Sequence, residues 1–315
     1  MTPVSVVMAV FNGAATARRA VESVLRQYYD GIVELIVVDD GSTDSTAEII
    51  ASYGDRIKII RQNNRGAAVA RNAGIAAARN EIVAFIDADD TWTSAKLSHT
   101  IAALEREPAV VLAYSDALAV NDRDEVIADS IVPPDQAHAP SMADLLSEWW
   151  PILPSTVVMR RSVIQACGGF CEELRSYEDP YLFLLARERG EFRYVARPLV
   201  RYHLAPAAER MEKYSPDCEL FIRRLRNRYG AAARRCIRST RRAYVSTLGY
   251  RGLLAMNRGD LQEARRNFIR ALCHDPLSVR TGARLIRTCL PRTIARALTG
   301  RTRSLPRDKR DNPPS

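Results

Sequence analysis

The sequence predicts an α/β fold: a mostly parallel central sheet flanked by helices, followed by an α-helical C-terminal region. Three observations carry the prediction. Short apolar runs alternate with segments of helical period through the first hundred residues, acidic clusters follow two of those runs, and from about residue 207 the pattern is helical and strongly basic. Strand, helix and strand at this spacing call for right-handed crossovers between parallel strands.

Val4–Val10 is the first apolar run and passes into a turn at Phe11-Asn12-Gly13. Ala14–Arg26 has helical spacing, with Ala17, Val21 and Leu25 on one face. Leu35–Val38 reads as a second buried strand and ends at Asp39-Asp40-Gly41, where Ser42 or Thr43 is placed to cap a helix over Ser45–Tyr53. Ile57–Ile60 is a third strand, Gly66–Ala78 an Ala-rich helix and Ile82–Ile86 a fourth strand. Farther along, Val110–Ala119, Val126–Ile131, Thr156–Met159 and Phe192–Tyr202 read as strands and Glu178–Arg189 as a helix. Cys167-Gly168-Gly169-Phe170 is a turn, and Pro133-Pro134 and Pro140 mark an irregular loop. Within the helical region, Ala255–Pro276 resembles one tetratricopeptide-like hairpin.

The chain has 315 residues, 47% hydrophobic and 26% charged, an ordinary globular composition. Its net charge of +9 hides an asymmetry: 26 of the 46 Lys+Arg but only 9 of the 37 Asp+Glu lie in residues 207–315. Such a split suggests modules with different partners. We therefore expect a catalytic domain over 1–206, a basic helical domain over 207–302 and a polar, Pro-rich tail over 303–315 that is disordered. No apolar stretch reaches about 18 residues, so a spanning helix is not expected. No basic leader precedes the first strand, which makes a cytoplasmic protein the default expectation. The cysteines, Cys167, Cys171, Cys218, Cys236, Cys273 and Cys289, form no C-x-x-C pair. They read as reduced, mostly buried thiols rather than zinc ligands.

In such sheets ligands bind beyond the carboxyl ends of the strands. Phe11-Asn12-Gly13, Asp39-Asp40-Gly41-Ser42 and Asp87-Ala88-Asp89-Asp90 all fall there. Asp87 and Asp89 are spaced to reach one hard divalent cation, Mg²⁺ or Mn²⁺, which binds through one or two carboxylates plus substrate phosphates. A solvated turn is the plainer reading of that pair alone. Asp39 and Asp40 are suited to accept from a base N–H or ribose hydroxyls, whereas helix capping by Ser42 or Asp44 needs no second aspartate. Arg71, in the small-residue segment Asn64–Gly74, suits a phosphate, a neighbouring carboxylate or support of the Asp39 loop. Glu178 and Asp179 suit a general base, or a first turn whose acids answer the helix dipole.

In order, V-S-V-V-M-A-V-F-N-G, V-V-D-D-G-S-T-D, N-R-G-A-A-V-A-R-N-A-G, F-I-D-A-D-D, G-G-F and E-D resemble the family-two glycosyltransferases, which have the GT-A fold. The resemblance covers residues 3–205 or so. It implies a GT-A type nucleotide-binding domain that transfers a sugar, with inversion, from a nucleotide diphosphate-sugar (UDP-sugar favoured) to a hydroxyl acceptor. By the same resemblance Val10, Phe11 and Asn12 line the nucleobase and Asp39 and Asp40 contact uracil and ribose. Arg71, or alternatively Arg65, helps hold the nucleotide. Asp87, Ala88 and Asp89 face the donor diphosphate and a Mg²⁺ or Mn²⁺ ion, with Asp89 the direct ligand. Asp179 is the base and Glu178 its partner. Family members often carry Tyr-Arg-x-His after the last strand; Arg201-Tyr202-His203 keeps the aromatic and the histidine without the spacing, leaving His203 as a candidate metal or diphosphate contact. The Q-x-x-R-W motif of processive synthases is missing, which favours single transfer in cell-surface polysaccharide or glycolipid synthesis.

Arg223-Arg224, Arg226, Arg228, Arg234-Arg235, Arg238 and Arg241-Arg242 form a dense basic stretch, and later arginines interleave with Leu285, Ile286, Leu290, Ile294 and Leu298. Solvated helix faces explain some of them. The sharper expectation is peripheral attachment to an anionic membrane surface at the inner face of the cell membrane, suited to a glycan or lipid-linked acceptor. No nucleic-acid recognition motif is present, and an oligomer is left open. Two other classes compete with the transferase. A nucleotidyltransferase making nucleotide sugars would want a Gly-rich, basic loop after the first strand, where Phe11–Ala15 has one glycine and no lysine. A non-catalytic scaffold would have no need of Asp87, Asp89 and Asp179.

Overall fold

The computed structural model of this chain describes residues 1–148, 150–204, 217–276 and 279–289. The first half runs β1 (Val4–Val10), α1 (Ala17–Leu25), β2 (Val33–Asp39), α2 (Thr46–Ala51), β3 (Lys58–Arg61), α3 (Ala67–Ala77) and β4 (Ile82–Asp87). Then come β5 (Thr91–Trp92), α4 (Lys96–Glu105), β6 (Val110–Val120), β7 (Val126–Ala128), α5 (Met142–Ser147), β8 (Val157–Arg160), α6 (Arg161–Ala166), α7 (Glu178–Arg187) and β9 (Glu191–His203). The helices α8 (Cys218–Tyr229), α9 (Arg234–Arg258), α10 (Leu261–His274) and α11 (Val279–Cys289) follow.

Among the described residues, nine strands form one sheet in the order β3-β2-β1-β4-β8-β6-β9-β5, with β7 paired to β6 off that path. β3, β2, β1 and β4 are parallel, as the alternation of strands and helices requires. Beyond β4 the sheet becomes mixed. β8 runs antiparallel to β4 and β6, β9 is parallel to β6, and β5 is antiparallel to β9. The mostly parallel sheet expected from the sequence thus describes its first four strands; no full crossover helix separates β7 from β8, and the chain returns antiparallel.

The sheet is covered on both faces. Val6, Met8 and Val10 pack with Ala17, Ala20, Val21 and Val24 of α1 and Leu97, Ile101 and Leu104 of α4. Each such Val, Met, Leu or Ile side chain taken from water contributes about 1.5–3 kcal/mol. On the other face α3 approaches β1 so closely that a Cβ on Gly74 would lie 2.3 Å from Val7 Cγ1. α4 went unread in the sequence although Leu97, Ile101 and Leu104 are helically spaced, because the buried face also carries a lysine, Lys96.

The chain divides into two compact units, Met1–Thr240 and the residues from Arg241 on. The sequence placed this boundary at 206. α8 reads as part of the basic tail, yet its Cys218, Phe221, Ile222 and Leu225 are buried and its outward arginines reach Glu173 and Glu188. In the second unit Phe268 packs with Ala255 and Ala264, and a Cβ on Gly252 would meet its ring at 2.4 Å. Gly259 (φ 83°) ends α9 and Asp260 caps α10 by accepting from Glu263 N at 2.9 Å. The tail 303–315, and Leu290, Arg292, Ile294, Arg296 and Leu298, lie outside the described residues. Among the described residues no helix is long and apolar enough to cross a membrane.

Candidate active site

Strand register places the first acidic groups. Val10 pairs with Asp39, and Ala9 with Asp87. Neighbouring strands lie about 4.8 Å apart, so Asp39 and Asp87 flank the end of β1. The loops after β1 and β2 are welded into a ledge. Asn12 takes a left-handed φ of 51°; its N–H donates to Ser42 Oγ at 2.9 Å and its Oδ1 accepts from Thr43 N at 2.8 Å. Asp44 Oδ2 accepts from Ala14 N at 3.1 Å. Val10 is buried beneath this ledge, whereas the Phe11 ring is 47% exposed upon it.

The two aspartates of β2 have different surroundings. Asp39 is buried; its Oδ1 accepts from Ser42 N at 2.8 Å. Its Oδ2 lies 3.3 Å from Arg61 Nε, out of line for a hydrogen bond, and is a buried oxygen with no hydrogen-bond partner. Asp40 is engaged by its own loop: it accepts from Gln62 Nε2 at 2.7 Å, Arg65 N at 2.9 Å and Gly66 N at 2.8 Å. Here the carboxylate expected at the ribose pins residues 62–66. Gly41 is required, with φ 80° and a Cβ position 2.8 Å from Asn64 N.

Arg71 is buried on α3 between two carboxylates. Its Nη2 donates to Asp87 Oδ1 at 2.7 Å and its Nη1 to Glu178 Oε1 at 2.8 Å, while the guanidinium lies 5.3 Å above the Phe170 ring. Burial works against its charge, but Asp87 and then Glu178 outweigh it and hold Arg71 above its ordinary pKa. Of the uses open to Arg71 in the sequence, it has the neighbouring carboxylate, twice over, while Arg65 lies exposed 3.7 Å from Glu172. Asn72 binds the next turn in both directions, accepting from Phe170 N at 2.8 Å and donating to Phe170 O at 2.9 Å. α3 thereby fixes the segment leading to α7. Tyr177, with φ 70°, opens that helix. Burial raises Glu178, with Arg71 opposing. Burial, then the Glu178 charge, push Asp179 well above the usual carboxylate range; Arg71 opposes and Asp87 adds to the rise.

The end of β4 meets the end of β9. Asp87 N donates to Ser155 Oγ at 2.9 Å, Ser155 Oγ donates to the buried Asp90, and Asp90 Oδ1 accepts from His203 N at 2.9 Å. Burial, then Asp89 and Asp87, raise Asp90 well above its ordinary range. Ala88 lies between Asp87 and the exposed Asp89. His203 Nδ1 is 4.0 Å from Asp89 Oδ2, and its Nε2 is 2.8 Å from Asp122 Oδ1.

Among the described residues no three His, Cys, Asp or Glu side chains converge on one ion position. The expected trio therefore resolves differently: Asp87 is turned to Arg71, and Asp89 with His203 form a pair. Cis ligands about 2.1 Å from an octahedral ion stand about 3.0 Å apart, so the 4.0 Å between Asp89 and His203 would have to close for both to bind one cation. Ser155, Asp122 and Arg61 carried no motif to mark them; each reaches the site from a segment distant in sequence.

The fold and its carboxylates together define a class, α/β proteins that gather acids beyond the ends of a half-parallel, GT-A-like sheet. Residues 5–163 match the model of the family described as Glycosyl transferase family 2, and the chain belongs to that family. It is similar to WfaP of Escherichia coli, named as UDP-Glc:alpha-D-GlcNAc-diphosphoundecaprenol beta-1,3-glucosyltransferase, with 35% identity over 167 residues, 52% of this chain and 63% of WfaP. The chain spans less than two thirds of the length of the first curated relatives it matches. Among solved structures, S. aureus TarS 1–349 in complex with UDP superposes with a TM-score of 0.58 at 20% identity, over 94% of this chain and 87% of that one. Mannosyltransferase PcManGT from Pyrobaculum calidifontis, in complex with GDP-Man and Mn²⁺, gives 0.58 at 17% identity, over 94% and 86%. At these identities the structures share the fold alone.

Proposed function

We propose that this chain is an inverting, metal-dependent glycosyltransferase. It moves a single sugar from a nucleotide diphosphate-sugar, a UDP-sugar in the first instance, to a hydroxyl of a lipid-linked glycan in cell-surface polysaccharide synthesis. The observation that carries the reading is the double bridge of Arg71, which ties Asp87 at the end of β4 to Glu178 at the start of α7. Asp179, next to Glu178 in sequence, is thereby held near Arg71 and Asp87 at the end of β4.

Roles follow from surroundings. Phe11 and Asn12 form the ledge for the base, over Val10, and Asp39 Oδ2, which accepts no hydrogen bond within the chain but faces Arg61 Nε at 3.3 Å, takes the base N–H. Asp40 keeps the 62–66 loop in place beside the ribose. Asp89 and His203 would hold Mg²⁺ or Mn²⁺ together with the diphosphate oxygens, and the ion would offset charge developing on the leaving group. Asp179, made more basic by burial and by Glu178, removes the acceptor hydroxyl proton as that oxygen attacks the anomeric carbon. One in-line displacement inverts the configuration there. The lipid-linked acceptor printed in the name of WfaP and the basic helices, set against an anionic cytoplasmic membrane face, support the acceptor class. The test is UDP release from UDP-glucose with a polyprenyl diphosphate-linked GlcNAc acceptor, run alongside direct UDP binding. Asp179→Asn keeps UDP binding within about twofold and loses turnover by about 100-fold or more; an Asn variant that turns over like the wild type removes Asp179 from the role.

A further inference from the structure

We propose that α8 is a clamp that sets the aim of Asp179, with Asp217 and Phe221 as its positioning residues. The inference rests on the reading of Asp179 as the base. Its ground is the backbone immediately before that residue. Tyr177 is a bulky, non-glycine residue with φ 70°, a left-handed conformation that costs about 1 kcal/mol or more and persists only where neighbours over-determine it. Here the neighbours come from the start of α8. Asp217 Oδ2 accepts from both Arg175 N and Ser176 N. One turn on, the Phe221 ring stacks flat on the Tyr177 ring, with centroids 4.8 Å apart and planes 9° apart, and meets Tyr181 edge-on at 6.5 Å.

The clamp extends along the helix. Arg224 reaches Glu173 at 2.9 Å, and Arg228 binds Glu188, just past the end of α7, with both nitrogens of its fork. The segment 173–188 is thus held at both ends and at its left-handed hinge by one helix. Tyr177 O accepts from Tyr181 N at 3.1 Å, so the hinge residue also closes the first turn of α7. A hinge that relaxed to a right-handed conformation would swing Glu178 off Arg71 and carry Asp179 with it. A basic helix forty residues downstream in sequence is, on this view, part of the machinery that presents the base.

The experiment uses the full chain with three variants, Asp217→Ala, Asp217→Asn and Phe221→Leu. Backbone hydrogen exchange over residues 177–183 is measured without substrate, and UDP release from UDP-glucose with the same polyprenyl diphosphate-linked acceptor is measured with Asp179→Asn as a control. We expect Asp217→Ala and Phe221→Leu to speed exchange there about tenfold or more and to lower kcat about tenfold or more with the donor KM within about twofold. Asp217→Asn, which keeps an acceptor oxygen, restores both. Adding Tyr177→Asn, a residue that tolerates the left-handed region, recovers part of the kcat lost in Phe221→Leu. Wild-type exchange at 177–183 in both Asp217→Ala and Phe221→Leu overturns the clamp. So does faster exchange with unchanged kcat while Asp179→Asn is dead. An active Asp179→Asn overturns the reading of the base instead, and the exchange result then still decides whether α8 holds the hinge.

Discussion

Arg71 Nη2 lies 2.7 Å from Asp87 Oδ1, and both partners belong to the parallel half of the sheet and its covering helix. The opposite nitrogen reaches Glu178, so a single guanidinium compensates one buried and one partly exposed carboxylate. Breaking such a pair leaves uncompensated buried charge, a loss of about 3–5 kcal/mol. Arg71→Ala is therefore expected to lower the urea midpoint sharply. Arg71→Lys, which keeps the charge but satisfies one carboxylate at a time, loses less stability and still loses turnover. Urea unfolding of the two variants checks the order.

The environment of Asp179 predicts a pH dependence with a definite sign. Its folded pKa is raised, first by burial and then by Glu178, so the folded chain holds this proton more tightly than the unfolded chain. The stability it contributes is fully present below the unfolded, ordinary carboxylate pKa and is lost progressively as pH rises from there through the folded pKa. Asp179→Asn, locked in the neutral form, should raise the melting temperature by about 2 °C or more at pH 8, a gain that shrinks as pH is lowered. In the wild type the acidic limb of kcat/KM lies well above the usual carboxylate range.

Lys96 predicts the opposite slope. Its ammonium is buried, donating to Val157 O at 3.2 Å above the Trp92 ring at 3.9 Å, and burial lowers its pKa well below the ordinary lysine value. The unfolded chain then binds the proton more readily, so stability rises with pH from the folded pKa up to the ordinary one and falls as pH drops. Lys96→Met should match or exceed wild-type stability at pH 7, by about 1 kcal/mol, and should flatten the rise between pH 7 and 9.5. Urea titrations at the two pH values read both effects.

The small-residue segment of α3 owes its glycine to packing. A methyl at Gly74 would lie 2.3 Å from Val7 Cγ1 and 3.2 Å from Val7 Cγ2, in the centre of the sheet. Gly74→Ala is expected to cost about 1–3 kcal/mol by overpacking even though alanine is the better helix former. Adding Val7→Ala should return part of that loss, measured as a double-mutant cycle in urea.

These residues also show what a sequence makes legible. β1, β2 and β4 could be read because each is a nearly unbroken buried run ended by a turn, and β3 from the apolar Ile57–Ile60 although its own residues are largely exposed; Asp39, Asp87 and Asp89 could be read because acids cluster at such ends. Glu178 and Asp179 stood out at a helix start. The partners of those groups could not be read. Arg71 had three plausible uses, and only the fold brings Glu178, more than a hundred positions away, to its second nitrogen. Ser155, Asp122 and Asp217 act through hydrogen bonds to residues distant in sequence, set by tertiary geometry, which leaves no periodicity or motif. α8 was assigned to the tail because its charges outnumber its apolar stripe, and that stripe, with Phe221 at its centre, is what packs against Tyr177.

The proposed transfer depends most on Asp89 and His203 joining Asp39 in a single nucleotide and metal site. Calorimetric titration of UDP into the chain, with and without Mn²⁺, measures this directly. We expect Mn²⁺ to tighten UDP binding about tenfold or more, and expect that gain to vanish in Asp89→Ala while metal-free binding persists. Equal UDP affinity with and without Mn²⁺ in the wild type, or an undiminished Mn²⁺ gain in Asp89→Ala, would contradict it.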